Sequence, residues 1–238
     1  MAMTPARAHM LAVTAASMSA DDSGAHALDP AQTSAYELMQ AQLYEHRRAL
    51  KTIQSIERKI EAKRAYLPLY WPWVDGVLAG GRGAADVVLT TVLVWAIDAG
   101  EYPRALQIAE YVLAHGLSLP DQYQRDPATT LIDEMAEAGL KGKLPAAEAV
   151  PLLQHVEALT RERDVPDQAR AKLHKAIGYM LIGRTAASEV DYKDLPADLA
   201  AQALPYLHRA FELFEGVGVK KDIERLERRV KDAVPQEP

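Results

Sequence analysis

The sequence predicts an all-α protein, and three observations carry that prediction. Alanine and leucine recur throughout the 238 residues, β-branched residues concentrate in one stretch, and apolar residues repeat at three- and four-residue steps over most of the chain. Apolar residues make up 49% and charged residues 25%, the balance of a folded protein with a real core, which excludes bulk disorder. There is no cysteine, so disulfides, thiol catalysis and Cys-based zinc or iron–sulfur sites are excluded, and a reducing compartment fits. The net charge of −6 argues against a surface coated in basic charge but leaves room for a local basic patch. Met10–Ala20 lacks the apolar core of a secretory leader. Val87–Ile97, the longest uncharged apolar run, is too short to span a bilayer as a helix, so a soluble intracellular protein is expected.

Four segments are expected: a flexible arm with a short helix (1–35), a long helix followed by a Trp/Pro hinge (36–83), a helical-repeat-like domain (84–233) and a disordered tail (234–238). In the arm, Thr4 and Pro5 suit an N-cap and first helical position, with Asp21-Asp22-Ser23-Gly24 and Asp29-Pro30 as stops. From Pro30 to Leu67 no further Pro or Gly interrupts the chain. Tyr36, Met39, Leu43, Leu50, Ile53, Ile60 and Leu67 follow three-then-four spacing when His46, Glu57 and Arg64 take the remaining seam positions. Ile56 lies one residue off the seam. The pattern suits one coiled-coil-like helix of about 30 residues, roughly 45 Å long, whose narrow stripe needs another helix from this chain or from another copy.

Pro68 and Pro72 end that helix, a short helix follows over Pro72–Leu78, and Gly80-Gly81-Arg82-Gly83 reads as a hinge. Ala84–Ala99 has strand propensity in Val87–Trp95. It nevertheless reads as a buried helix, because it lacks period-2 alternation and has no second strand to pair with. A second helix, Pro103–His115, completes a pair in which Gly100, Tyr102, Ala105, Leu106 and Ala109 resemble half of a tetratricopeptide-type hairpin. Helices are expected over Asp126–Ala138, Ala146–Arg161 and Pro166–Gly183. Leu173–Tyr179 and Ala203–Leu213 read as a degenerate second hairpin around an insert, Arg184–Asp198, and Lys220–Val230 closes the fold.

Charge is uneven. Residues 85–140 carry a net −7, whereas Gln40–Arg64 carries +4. Arg47, Arg48, Lys51, Arg58, Lys59, Lys63 and Arg64 form a basic stripe that can neutralise phosphates along a duplex, and that equally fits the solvated flank of a coiled coil. Arg82, among glycines before a helix, can meet a phosphate, but the P-loop ending is missing and a plain hinge fits as well. Tyr70, Trp71 and Trp73 read as core packing or as a partner anchor. Asp133, Glu134 and Glu137, near Asp126, are the one carboxylate cluster to weigh as a two-metal nuclease site. Acidic residues near a helix N-terminus are also what the helix dipole favours. No His spacing suits a metal, no Ser–His–Asp arrangement is visible, and the basic patch Arg170–Lys175 fits a solvated helix face.

Several strings together resemble a known family. They are Thr4-Pro5-Ala6 with His9-Met10, Leu67-Pro68 with Pro72-Trp73-Val74 and Gly76-Val77-Leu78, Gly81-Arg82-Gly83-Ala84 with Asp86, and Trp95 with Asp98 and Gly100. Arg170–Lys175 and Gly218–Arg228 complete the set. Their order and spacing are similar to those of the small terminase subunit of cohesive-end tailed phages, the M-protein family, over nearly the whole chain. The resemblance implies a viral DNA-packaging protein of the host cytoplasm. It would bind the cos site of concatemeric double-stranded DNA, present it to the large ATPase subunit and assemble as a ring. Tyr36, Met39, Leu43, Leu50, Ile53, Ile60 and Leu67 would be the contact between copies, and the basic stripe with Arg82 would touch DNA.

No cofactor and no membrane partner are expected. The family is described as a probable endonuclease, which would add Mg²⁺ at Asp133, Glu134 and Glu137, but no catalytic motif of the family maps onto this sequence. Family members can end in a Lys/Arg-rich tail where this chain reads Pro-Gln-Glu-Pro, which implies weaker DNA binding that depends more on the ring. A third alternative is a helical scaffold that does not bind DNA.

Overall fold

A computed structural model describes residues 3–20, 30–120 and 126–233. Among these the protein is all-α, with no strand and a lone bridge between Thr185 and Ser188. The helices are α1 (Pro5–Ala20), α2 (Pro30–Thr52), α3 (Ile56–Tyr66), α4 (Trp71–Gly80), α5 (Val87–Ala99) and α6 (Tyr102–Ala114), then α7 (Pro127–Leu140), α8 (Ala149–Thr160), α9 (Asp167–Leu181), α10 (Ala197–Leu213) and α11 (Lys220–Ala233). The chain divides into two compact units, 1–127 and 128–238. The expected stops at Asp21–Gly24 and Asp29, and the expected tail 234–238, lie outside the described residues.

In the first unit α5 is the central post. It is buried at nearly every position from Val88 to Ile97, which is why its sequence shows no amphipathic period. Asp86 caps its start: Oδ1 accepts from Val88 N at 2.7 Å and Leu89 N at 3.0 Å, and Oδ2 accepts from Trp73 Nε1 at 2.8 Å. Gly100, with φ +83°, closes its other end and turns the chain into α6, where Ala105 and Ala109 are fully covered.

The N-terminal segment differs from a free arm, because α1 is docked on α4. Gly76 permits the approach: a Cβ there would lie 2.1 Å from the Ala12 carbonyl oxygen. Leu11 and Ala15 are buried where the two helices meet.

The single long helix expected from Tyr36 to Leu67 is two helices. The α2 helix stops at Thr52, whose Oγ1 donates back to Ala49 O at 2.8 Å. Ser55, in an extended conformation, then caps α3 by accepting from Arg58 N at 3.3 Å. Aromatic contacts fold α3 back on α2. His46 of α2 stacks on Tyr66 with ring centroids 3.8 Å apart, and its Nδ1 is hydrogen-bonded to the Tyr70 hydroxyl at 2.7 Å. Both tyrosines pack on Trp95 of α5.

The second unit is built on the α9–α10 hairpin, with α7 and α8 against α9 and α11 against α10. Gly178 sets the hairpin spacing, since a Cβ there would lie 2.5 Å from the Leu207 side chain. The segment between α9 and α10 is fastened to α11 through Asp222, which is almost fully buried. Its carboxylate accepts from Tyr192 at 2.6 Å and Tyr179 at 2.8 Å and pairs with Arg184.

Candidate nucleic-acid interface

The break between α2 and α3 gives the basic stripe its shape. Arg47 and Lys51 stand on the last turns of α2, Lys59 and Lys63 on α3. The elbow brings them around a cleft of about 190 Å³ whose other lining residues are Leu50 and Trp95. A straight helix would have spread these cations along its length instead. Lys51 and Lys59 have no ion-pair partner among the described residues. Cations gathered this closely repel one another wherever no acid offsets them, and an anion entering the cleft relieves that repulsion.

Lys63 has a second role, and the basic candidates outside the cleft serve differently. Lys63 is salt-bridged to Asp98, and Arg64 Nε donates to Ala99 O at 2.8 Å. Both cations therefore hold α3 against the C-terminal end of α5, where the helix dipole favours positive charge. Arg48 lies 3.7 Å from Glu45 on the exposed side of α2. Arg58 is exposed and, among the described residues, has no ion-pair partner. Arg82 is exposed in the α4–α5 turn and does not line the cleft. That turn is closed: Gly83 N donates to the Tyr111 hydroxyl at 2.7 Å, and a Cβ on Gly83 would lie 2.4 Å from His115.

The seam residues point mostly into their own chain. Met39 is 1% exposed, Leu43 2%, Leu50 8% and Leu67 1%, while Tyr36, Ile53 and Ile60 are half-buried. Tyr36 stacks on Trp73 at 5.6 Å, and its hydroxyl accepts from Val87 N at 3.3 Å. The four buried positions are thus already covered by the first unit. The apolar side chains this segment leaves in water are others: Leu38 at 66%, Tyr44 at 64% and Ile56 at 76%. Trp73 and Tyr70 are core residues, and Trp71 is half-buried under the Arg104 guanidinium, 4.7 Å from its ring centre.

The carboxylate candidates lie on α7, in the second unit. Glu137 is held by Lys141 at 2.6 Å and Lys172 at 2.8 Å, whose hydrogen bonds pull its pKa down to about 2. Among the described residues no three His, Asp or Glu side chains, Asp133 and Glu134 included, gather as a ligand set for a metal. The second basic patch is structural as well. Arg170 donates to Thr160 O and Arg163 O, and Lys175 to Val217 O. His174 is buried, and that burial, with Arg209 and Arg170 nearby, lowers its pKa to about 4.

Sequence reasoning missed Trp95 and Asp98 as members of the elbow, and it missed Asp222 as the centre of a buried network. In the sequence Trp95 and Asp98 appeared only as part of the string that carries the family resemblance, with no sign of the cations they would meet. No helix among the described residues is long and apolar enough to cross a membrane.

Comparison with known proteins supplies the family. Residues 40–168, which include the elbow, match the family described as "Phage small terminase subunit". The chain is 40% identical to the "Terminase, endonuclease subunit" of Escherichia phage P2 over 99% of its own length and 89% of that protein's. It is 24% identical to the "Probable terminase, endonuclease subunit" of Haemophilus phage HP1, over 80% of this chain and 68% of that one. No solved structure matches. With a family match over more than half the chain and a relative of this identity along nearly all of it, the protein belongs to the phage small terminase subunit family.

Proposed function

We propose that this subunit binds the cos site of concatemeric double-stranded phage DNA in the host cytoplasm and presents it to the large terminase subunit. The basic elbow of the first unit is the phosphate grip. The observation that carries the reading is the convergence of Arg47, Lys51, Lys59 and Lys63 on one cleft inside the family-matched segment. The grip of one copy is small, and a ring-like homo-oligomer multiplies it. Because the seam is largely covered, the contact between copies uses exposed apolar side chains such as Leu38, Tyr44 and Ile56.

Fluorescence anisotropy with a cos-containing duplex over a salt series tests this. The assembled subunit binds with an affinity that falls as salt rises. Lys51→Gln with Lys59→Gln weakens binding and reduces the logarithmic salt slope by about 2, roughly one for each phosphate left without its cation. Unchanged affinity and slope in that variant rule out the elbow as the grip.

The names of both relatives favour a second reading, in which the subunit takes part in cutting DNA with Mg²⁺. Running the same incubations on a denaturing gel separates the two. Nicked cos strands without the large subunit, lost on Asp133→Asn with Glu137→Gln, support cleavage; intact strands support recognition alone.

A further inference from the structure

The elbow contains a carboxylate at a place where helix electrostatics disfavours one. Asp98 sits in the last turn of α5, next to the final residue Ala99, and that turn has no basic residue of its own. Carbonyl ends make a helix C-terminus partially negative, so an aspartate there is unfavourable unless a cation compensates it. Here the compensation comes from α3: Lys63 pairs with Asp98 and Arg64 caps the Ala99 carbonyl. Lys63 is also one of the four cations lining the cleft, and its side chain is only 17% exposed. The ammonium thus faces two claimants, a resident carboxylate and any phosphate entering from solvent. Lys63 and Arg64 both tie α3 to α5, but of the two only Lys63 also borders the cleft.

We infer that Asp98 is a resident competitor for the DNA phosphate: it occupies Lys63 when the cleft is empty and thereby sets the affinity and salt dependence of the elbow. The inference rests on the DNA-binding reading above and deepens it. Lys63 engages a phosphate only by giving up its internal partner. The elbow therefore binds duplex less tightly than its cation count allows. That suits a subunit that must hand DNA on, because a grip with an internal substitute for the phosphate releases without leaving a bare charge behind.

The test is a double-mutant cycle read by anisotropy on a cos-containing duplex, using the full-length assembled subunit: wild type, Asp98→Asn, Lys63→Met, and both changes together. Asp98→Asn is expected to tighten binding about 3- to 10-fold near 0.1 M salt and to steepen the salt slope by about 1, as one further phosphate is neutralised. In the Lys63→Met background the same change removes a negative charge near the DNA but frees no cation to pair with a phosphate, so the salt slope is expected to stay unchanged, which separates release of Lys63 from a general gain of positive charge. Thermal melts establish that each variant is folded, and Asp98→Ser replaces Asp98→Asn if the latter is not. An equal steepening of the salt slope with and without Lys63, or no gain in affinity at all while wild type binds normally, overturns this inference and leaves the DNA-binding reading standing. Absence of salt-dependent binding by the wild type overturns both.

Discussion

Asp222→Ala is expected to cost about 3–5 kcal/mol, a large share of the roughly 5–15 kcal/mol that holds a domain together. The carboxylate is almost fully buried and is the common acceptor for Tyr192, Tyr179 and Arg184. Removing it leaves two hydroxyl donors without their acceptor and the guanidinium without its counter-charge, with only the Tyr192 hydroxyl still accepting from it at 2.7 Å. The guanidinium also lies over the Tyr179 ring, 4.6 Å from its centre, so its displacement disturbs a second interaction. The damage should be local at first: the segment between α9 and α10 loses its fastening to α11. Chemical denaturation should show a lower midpoint, and limited proteolysis should show new cleavage within 184–196.

The same group makes the second unit sensitive to acid. Burial by itself would raise its pKa, but the hydrogen bonds from Tyr192 and Tyr179 and the charge of Arg184 outweigh burial and hold it below the ordinary aspartate value. A group whose folded pKa is depressed contributes stability above its unfolded pKa and loses it as pH falls through the folded value. Wild type should therefore weaken on acidification below the ordinary carboxylate range, and Asp222→Ala should flatten that loss.

Asp86→Ala should cost the first unit about 2–4 kcal/mol. Loss of an N-cap costs about 0.5–2 kcal/mol, and an orphaned buried donor, here the Trp73 indole N–H, about 1–3 kcal/mol. The effect spreads because α5 touches α2, α3, α4 and α6. Asp86→Asn separates the two contributions. An asparagine oxygen still caps Val88 and Leu89, but its amide nitrogen then faces the indole N–H, so Asn should lie between wild type and Ala. Denaturation monitored by tryptophan fluorescence checks the order, because Trp73 and Trp95 both report on this core. Equal stability of the Asn and Ala variants would mean that the cap contributes nothing.

The fold class was legible in the sequence, and so were most helices, because periodicity and caps are local. Gly100 as a stop, Asp86 before an apolar run and the small Ala105 and Ala109 all carry their structural meaning in their immediate neighbours. The division of the long segment into α2 and α3 was hidden for the same reason: Ser55 is a weak signal when no proline or glycine accompanies it and the apolar spacing runs on through it. The seam showed that one side of the segment is covered, but not by what. A stripe that fits another copy also fits α5, further along the same chain.

Charge was harder still. Lys63 and Arg64 look like the other cations of the stripe until Asp98 and Ala99, each 35 residues away, arrive beside them. The Asp222 network joins residues 30 to 43 positions apart and leaves no pattern in the sequence at all.

Photo-crosslinking of a cos-containing duplex carrying reactive phosphate-proximal groups, followed by mapping of the modified peptides, locates the DNA on this subunit. Binding at the α2–α3 elbow gives crosslinks within Arg47–Lys63. Crosslinks confined to the second unit, on α9 or α11, with none in that segment, would contradict it.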